Sequence, residues 1–314
     1  MTLKHLLAAG ALALAGAHAT TADAFELGIV AFQMSAETHA RVANAAEAAA
    51  KEKGWDVTVL NSNGALPTHA EQIENLVQRG VDAIILAMSK PVQFDAQMEA
   101  VSDAGIPLIT VMSGSSPYAL FDIQVNEYAV GAEAALYLLG QLNYEGKILT
   151  QRFESNVGTR IRGKVLDVVL SENTAVEEVG SHSMARTQSW QDDVRNGMSA
   201  LILQNAGNFD GIWASFDGQA FIIDDLLAEQ GMSKGDVVLV SVDGGKETFR
   251  RIASPDSMLM ASVAIPFEAM GAAAVEAIDR IAVGGEPVDA VASGPYLYMN
   301  AVLVDQSNVD EFTE

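Results

Sequence analysis

From residue 27 onward the chain alternates between short apolar runs and longer stretches that mix alanines with charges. LGIVAF (27–32) carries no polar position, which suits a strand buried on both faces. ETHARVANAAEAAAKEKG (37–54) is alanine-rich with its charges on one side, and Gly54 ends it, so the pattern predicts a helix. DVTVLNS (56–62) alternates and is β-branched, a strand, and HAEQIENLVQRG (69–80) is a helix again closed by glycine. DAIILA (82–87) reads as a buried strand, FDAQMEAVSDAG (94–105) as a helix, and IPLITVM (106–112) as a strand whose proline stands near its start, where no ladder donor is lost.

A second series begins near Glu145. GKILTQRF (146–153), TRIRGKVLDVVLSE (159–172), AVEEVGSH (175–182), QDDVRNGMSALILQN (191–205), DGIWASF (210–216), QAFIIDDLLAEQG (219–231) and DVVLVSVD (236–243) repeat the rhythm. VDAIILA followed by AGIPLITV has the same plan as FDGIWASF followed by VVLVSV: an aspartate leading a buried strand, a helix ending in glycine, another strand. This predicts a duplicated α/β architecture with helices on both faces of parallel sheets. No Pro/Gly/Ser linker divides the halves; FDIQVN runs directly into EYAVGAEAALYLLGQL (127–142), a helix suited to crossing between two lobes.

Composition narrows the class. The chain has 314 residues, 49% hydrophobic and 19% charged, enough for two domains with cores. Its formal charge of −23 repels nucleic acid and anionic headgroups, so no nucleic-acid partner is expected. The first residues stand apart: a lysine in MTLKHLL, a short apolar run LLAAGALALAGA, and ADA. That is the layout of a cleavable signal peptide over residues 1–24, cut after Ala24, which implies a periplasmic location. Without cysteine there is no disulfide framework or thiolate chemistry.

Several chemistries are excluded by pattern. GGKET (244–248) and EGKIL (145–149) both fail the phosphate-loop spacing, and no G-x-G-x-x-G follows the first strand. There is no G-x-S-x-G elbow, and His39, His69 and His182 lack metal-ligand spacing. A non-enzyme without metal or cofactor is expected, with a secreted α/β enzyme as the rival from another class.

In open parallel sheets ligands sit beyond the carboxyl ends of the strands. Here those turns are FQMSAE (32–37), MSGSS (112–116), RFESNVGTRIRG (152–163), RTQSW (186–190), FDG (216–218) and DGG (243–245). Aromatic, amide, hydroxyl, arginine and aspartate side chains suit an uncharged polyhydroxyl compound: charged groups hydrogen-bond its hydroxyls and rings cover its C–H face. No glycine stands between Ala31 and Ala46, so the first turn is not built to hold a phosphate. Phe32, Gln33, Glu37 and His39 are its candidate contacts, and Glu37 also suits a helix first turn.

The ordered series GIVAF…RVANAAEAAAKEKGWDVTVLNSN, QIENLVQRGVDAIILA, AGIPLITV, GTRIRGKV and VVLVSVDG resembles the periplasmic sugar-binding proteins of the ribose and galactose type, the receptors of ABC importers. The resemblance spans the mature chain and implies two doubly wound, Rossmann-like lobes joined by a three-stranded hinge. Lobes of 25–125 plus 266–295 and 126–265 plus 296–314 follow, with crossovers near Val125, Ile265 and Pro295. It implies a monomer that captures a small neutral sugar or polyol and hands it to an ABC permease; a furanosyl autoinducer or nucleoside is the alternative ligand. By position, the R-x-R-G arginine is Arg162, either a donor to ring and hydroxyl oxygens or a surface residue, and the late D-G aspartate is Asp243, either an acceptor or a helix cap. Asp217 is a contact or a cap, Phe216 a stacking ring or core, and Trp190 a sugar-covering ring or core. Met112 and Ser113 stand where the family has an aspartate–arginine pair, with Ser113 kept as a contact, and Ile265 replaces a glutamine, so ribose itself is not the expected ligand.

Overall fold

The computed structural model describes residues 24–313, so the expected export signal lies outside the described residues except for Ala24. Two six-stranded sheets form, each covered by helices on both faces. The first contains β1 (Glu26–Ala31), β2 (Asp56–Asn61), β3 (Ala83–Ala87), β4 (Leu108–Val111), β5 (Phe121–Gln124) and the late strand β11 (Tyr296–Tyr298). They lie in the order β11-β5-β4-β3-β1-β2, all parallel. The second contains β6 (Gly146–Arg152), β7 (Val176–Ser183), β8 (Gly211–Ala214), β9 (Val238–Asp243), β10 (Leu259–Ala264) and β12 (Val302–Asp305). Their order is β12-β10-β9-β8-β6-β7, and only β12 runs antiparallel. The expected duplication is present as topology: each sheet reverses its winding beside its first strand, β1 or β6.

Local sequence explains the elements. The apolar runs in β1, β3 and β8 are buried along almost their whole length because helices cover both faces. The alanines of α1 (Glu37–Glu52) serve close packing against α9 (Phe267–Ile278): a Cβ on Gly271 would strike the Val42 carbonyl oxygen and lie 3.0 Å from the Ala46 nitrogen. Helix α2 spans Leu66–Arg79, starting three residues before the expected 69. Pro67 sits in its first turn, where its missing N–H has no partner to lose, and Gly80 closes it at φ 68°.

The chain passes between the sheets three times. Asn126 follows β5 and caps α4 (Glu127–Gln141), its Oδ1 accepting from the Tyr128 and Ala129 N–H groups, and α4 packs on the second sheet. Ile265–Pro266 carries the chain back into α9 on the first sheet. The third passage falls at 299–301, not near Pro295 as expected, because Tyr296–Tyr298 pairs with Asp122–Gln124 and extends the first sheet before the chain leaves it. A strand of three residues with no apolar run leaves little trace in the pattern. Among the described residues no helix is long and apolar enough to cross a membrane.

Candidate ligand cleft

The carboxyl ends of both sheets carry the polar and aromatic residues, and side chains of the two lobes meet there. In the second lobe the centre is Asp243, the last residue of β9. Its φ is 128°, and Gly244 and Gly245 follow at 69° and 151°. Such a run of positive φ is costly for a residue with a side chain and turns the chain sharply off the strand end. Asp243 Oδ1 lies 3.3 Å from Arg162 Nη1.

Arg162 belongs to α5 (Val157–Glu172), which packs closely on α4: a Cβ on Gly131 would come within 2.8 Å of the Arg162 Cα. That approach sets Arg162 against Glu127, the first residue of α4, in a bidentate pair with Nε to Oε2 at 2.6 Å and Nη2 to Oε1 at 3.0 Å. Nη1 also donates to the Ser215 carbonyl at 3.0 Å. Arg162 is 3% exposed. Burial opposes its charge, but Glu127 and then Asp243 outweigh that and hold it above its ordinary pKa. Arg162 is thus neither the surface residue nor the free multiple donor weighed from the sequence; most of its N–H groups serve the protein. Burial, against the pull of Arg162 and with the push of Asp217 and Glu127, takes the Asp243 carboxyl up to about 7.

Asp217 opens α7 (Asp217–Glu229) and is buried, its oxygens accepting from Thr248 Oγ1 at 2.6 Å, Ser262 Oγ at 2.8 Å and Ser241 Oγ. It ties α7, β9, β10 and α8 (Lys246–Ala253) together and is neither cap nor free acceptor, which corrects both expectations. Trp190, at the start of α6 (Trp190–Gln204), meets Phe216 with ring centroids 5.6 Å apart, and Phe153 lies 6.2 Å from Phe216. These three half-buried rings rim the second lobe, and glycine at 218 leaves the space their edges occupy.

In the first lobe Phe32 directly follows β1, with the His39 ring 6.5 Å and the His69 ring 5.6 Å from its own. His69 is buried and fixed at both nitrogens. Gln72 Nε2 donates to the Asn61 carbonyl, so its Oε1 takes the Ser62 hydroxyl hydrogen at 2.7 Å. His69 Nδ1 then donates to Ser62 Oγ at 2.7 Å, and Nε2 accepts from Ser89 Oγ at 2.7 Å. Burial lowers the His69 pKa to about 4, so it stands neutral beneath Phe32. Ser113 completes this stitching: its Oγ accepts from the Ser89 N–H at 2.9 Å and donates to the Val111 carbonyl at 2.9 Å. Its hydroxyl thus joins strand ends, and its one donor hydrogen serves the protein. Gln33 Nε2 donates to Ser35 Oγ at 3.2 Å beside Gly64. His39 Nδ1 is shut off from solvent without a partner among the described residues; burial and then the charge of Arg186 lower its pKa to about 4.

Two residues that sequence reasoning missed shape the site, Arg41 by joining the lobes and Glu127 by holding Arg162 within the second lobe. Arg41 on α1 donates to Glu268 at 2.7 and 2.9 Å, lies over the Phe267 ring at 5.0 Å, and reaches across to the Gly244 carbonyl. Glu37, one turn earlier, faces Gly245, placing the first-lobe turn against the Asp243 turn. Glu127 is the other. Their signals were faint: an arginine four residues after Glu37, and an acid after the Asn126 cap, are ordinary helix decoration. So the structure joins Arg162 with Asp243, Trp190 with Phe216, Phe32 with His39, and Glu37 with the loop after Asp243. Among the described residues no acidic or histidine cluster could hold a metal ion.

Residues 27–286 match the family model described as a periplasmic binding protein domain. The xylitol-binding protein of Mycolicibacterium smegmatis is 28% identical over 272 residues, covering 80% of this chain and 72% of the relative. The ribose import binding protein RbsB of Bacillus subtilis is 23% identical over 253 residues, covering 79% and 78%. The crystal structure of an ABC sugar transporter subunit from Rhodobacter sphaeroides superposes with a TM-score of 0.78 at 25% identity, over 90% of this chain and 98% of that one. With a match over most of its length and the two-lobed architecture to accompany it, the chain belongs to the periplasmic binding protein family.

Proposed function

We infer that this protein is the solute-binding component of an ABC importer and captures a small sugar or polyol between its two lobes. The observation that carries this is the opposition of Asp243, aimed off β9 and held by Arg162, to the Phe32–Glu37 turn across the cleft, beside the Phe153–Phe216–Trp190 rim. Asp243 accepts from ligand hydroxyls, the rings cover the apolar C–H face, and Arg162 positions the carboxylate. Relatives named for xylitol and ribose support this ligand class. The chain carries no enzymatic step in this reading: the ligand leaves unchanged, to a membrane permease, from a monomeric receptor exported by residues 1–24. Of the residues expected at the site, Phe32, Gln33, Glu37, His39, Trp190, Phe216 and Asp243 remain ligand contacts.

A thermal-stability screen of the purified protein against aldoses, polyols and nucleosides tests the reading. One sugar or polyol should raise stability by about 2.7 kcal/mol at a hundredfold excess over its Kd and be recovered unchanged. Product formation, or stabilisation by nucleosides alone, contradicts it.

A further inference from the structure

The two sheets are wound alike, yet equivalent strand ends carry opposite chemistry. β4 and β9 hold the same place, two strands from the first strand of their own sheet. β9 ends on Asp243 at φ 128°, and β4 is followed directly by Met112 at φ 50°. β3, which lies between β4 and β1, is followed directly by Met88 at φ 58°. Apart from two asparagines and Tyr144, these three are the non-glycine residues with positive φ among the described residues. Glycine or asparagine is the ordinary occupant of a left-handed backbone, so methionine kept there at two adjacent strand ends is held for its side chain.

Phe32, Met88 and Met112 form a row across three neighbouring strands. The register pairs Ala31 with Ala87 and Ala87 with Val111, and the next residue of each strand carries the ladder one step further. Phe32 N–H donates to the Ala87 carbonyl at 3.2 Å, Met88 N–H to that of Val111 at 2.9 Å, and Met112 N–H to that of Ile123 at 2.8 Å. Both methionines pack against the first-lobe core and stay partly exposed at the strand ends. The serines that follow them have no hydrogen to spare. Ser89 N–H donates to Ser113 Oγ and Ser89 Oγ to His69 Nε2; Ser113 N–H donates to Asp122 Oδ1 at 3.1 Å and its hydroxyl to the Val111 carbonyl. A ligand hydroxyl set on this row gives up water and finds no donor, a loss that a methyl group does not suffer, and thioethers adapt readily to an apolar guest.

We propose that the ligand is a sugar or polyol with one end free of hydroxyls, a deoxy or methyl-capped compound, whose apolar end lies on Met88 and Met112 beside Phe32 while its hydroxyls turn to Asp243 of the other lobe. The thioether of Met112 and the carboxylate of Asp243 stand at equivalent strand ends of the two lobes. A guest that is polar at one end and apolar at the other meets both partners only when the lobes close on it, so this asymmetry couples recognition to closure. This ligand class rests on the sugar-receptor reading above and narrows it.

The test is a set of calorimetric titrations of the purified protein with pairs that differ by one oxygen: D-ribose and 5-deoxy-D-ribose, D-galactose and D-fucose, L-mannose and L-rhamnose, xylitol and 1-deoxyxylitol. At least one deoxy compound should bind about tenfold or more tightly than its hydroxylated parent. In Met88→Gln and in Met112→Gln, which keep an unbranched chain but bring a polar amide, that preference should shrink to about threefold or less. Met88→Leu and Met112→Leu keep the apolar surface and should retain a preference of about tenfold, which separates loss of apolar surface from loss of fold. Parents binding as tightly as their deoxy partners overturn this inference and leave the receptor reading standing. So does a preference that survives both glutamine variants, which places the apolar end elsewhere, or one lost equally in the leucine variants. Binding by no member of any pair counts against both.

Discussion

At the scale of single residues the site is governed by a buried charge balance. Arg162 faces Glu127 and Asp243, so Arg162→Ala leaves two carboxylates buried without a cation. That variant should lose about 3–5 kcal/mol in urea unfolding, and a loss under about 1 kcal/mol shows the pair to be dispensable. Asp243→Asn keeps the shape and removes the charge; it should weaken ligand binding roughly ten- to a hundredfold by titration calorimetry. The pH dependence follows from the same group. The Asp243 carboxyl titrates near 7 in the folded chain, against about 3.9 when unfolded, so the native state holds the extra proton in between. Its contribution to stability is complete below about 4 and is lost as pH rises through about 7. His39 and His69, lowered to about 4, act in the opposite sense, losing stability as pH falls from about 6.5 toward 4. The wild-type curve mixes both. The difference between wild type and Asp243→Asn isolates the aspartate, and wild type should lose ground against the variant between pH 5 and 7.5. Arg162 and Asp243 were legible in the sequence as a pair of positions, but their roles were not, because Glu127 and Ser215 that claim the guanidinium lie 35 and 53 residues away.

At the scale of elements, close helix packing sets the geometry. Helices α1 and α9 touch where Gly271 meets Val42 and Ala46, and α9 follows the second passage between lobes at Ile265–Pro266. Gly271→Val should therefore cost about 1–3 kcal/mol by forcing the helices apart, measured by urea unfolding. Unchanged stability shows that α9 can slide. The strand–helix rhythm could be read from sequence because strands covered on both faces appear as continuous apolar runs, as in IVA of β1 and AIILA of β3. The third passage could not, since Tyr296–Tyr298 is three residues long and only partly buried. Ser113 and Asp217 sat at the right strand ends, and only the fold reveals that their polar atoms are engaged in joining strands and helices.

At the scale of the whole molecule, two similar sheets are joined by three passages and touch across the cleft through Arg41 and Gly244. Ligand binding and lobe closure are then one equilibrium. Arg41→Gln removes the cross-lobe hydrogen bond, so the ligand-free protein should become more open, with a larger radius of gyration in solution scattering and faster ligand dissociation. An identical scattering profile and dissociation rate mean the contact does not hold the lobes. The central claim is that the guest sits between the lobes and touches both. Hydrogen exchange with and without a saturating sugar or polyol measures this directly. The account predicts slowed exchange in residues 32–41 of the first lobe together with 153–163 and 243–249 of the second. Protection confined to one lobe, or lying away from the strand ends, would contradict it.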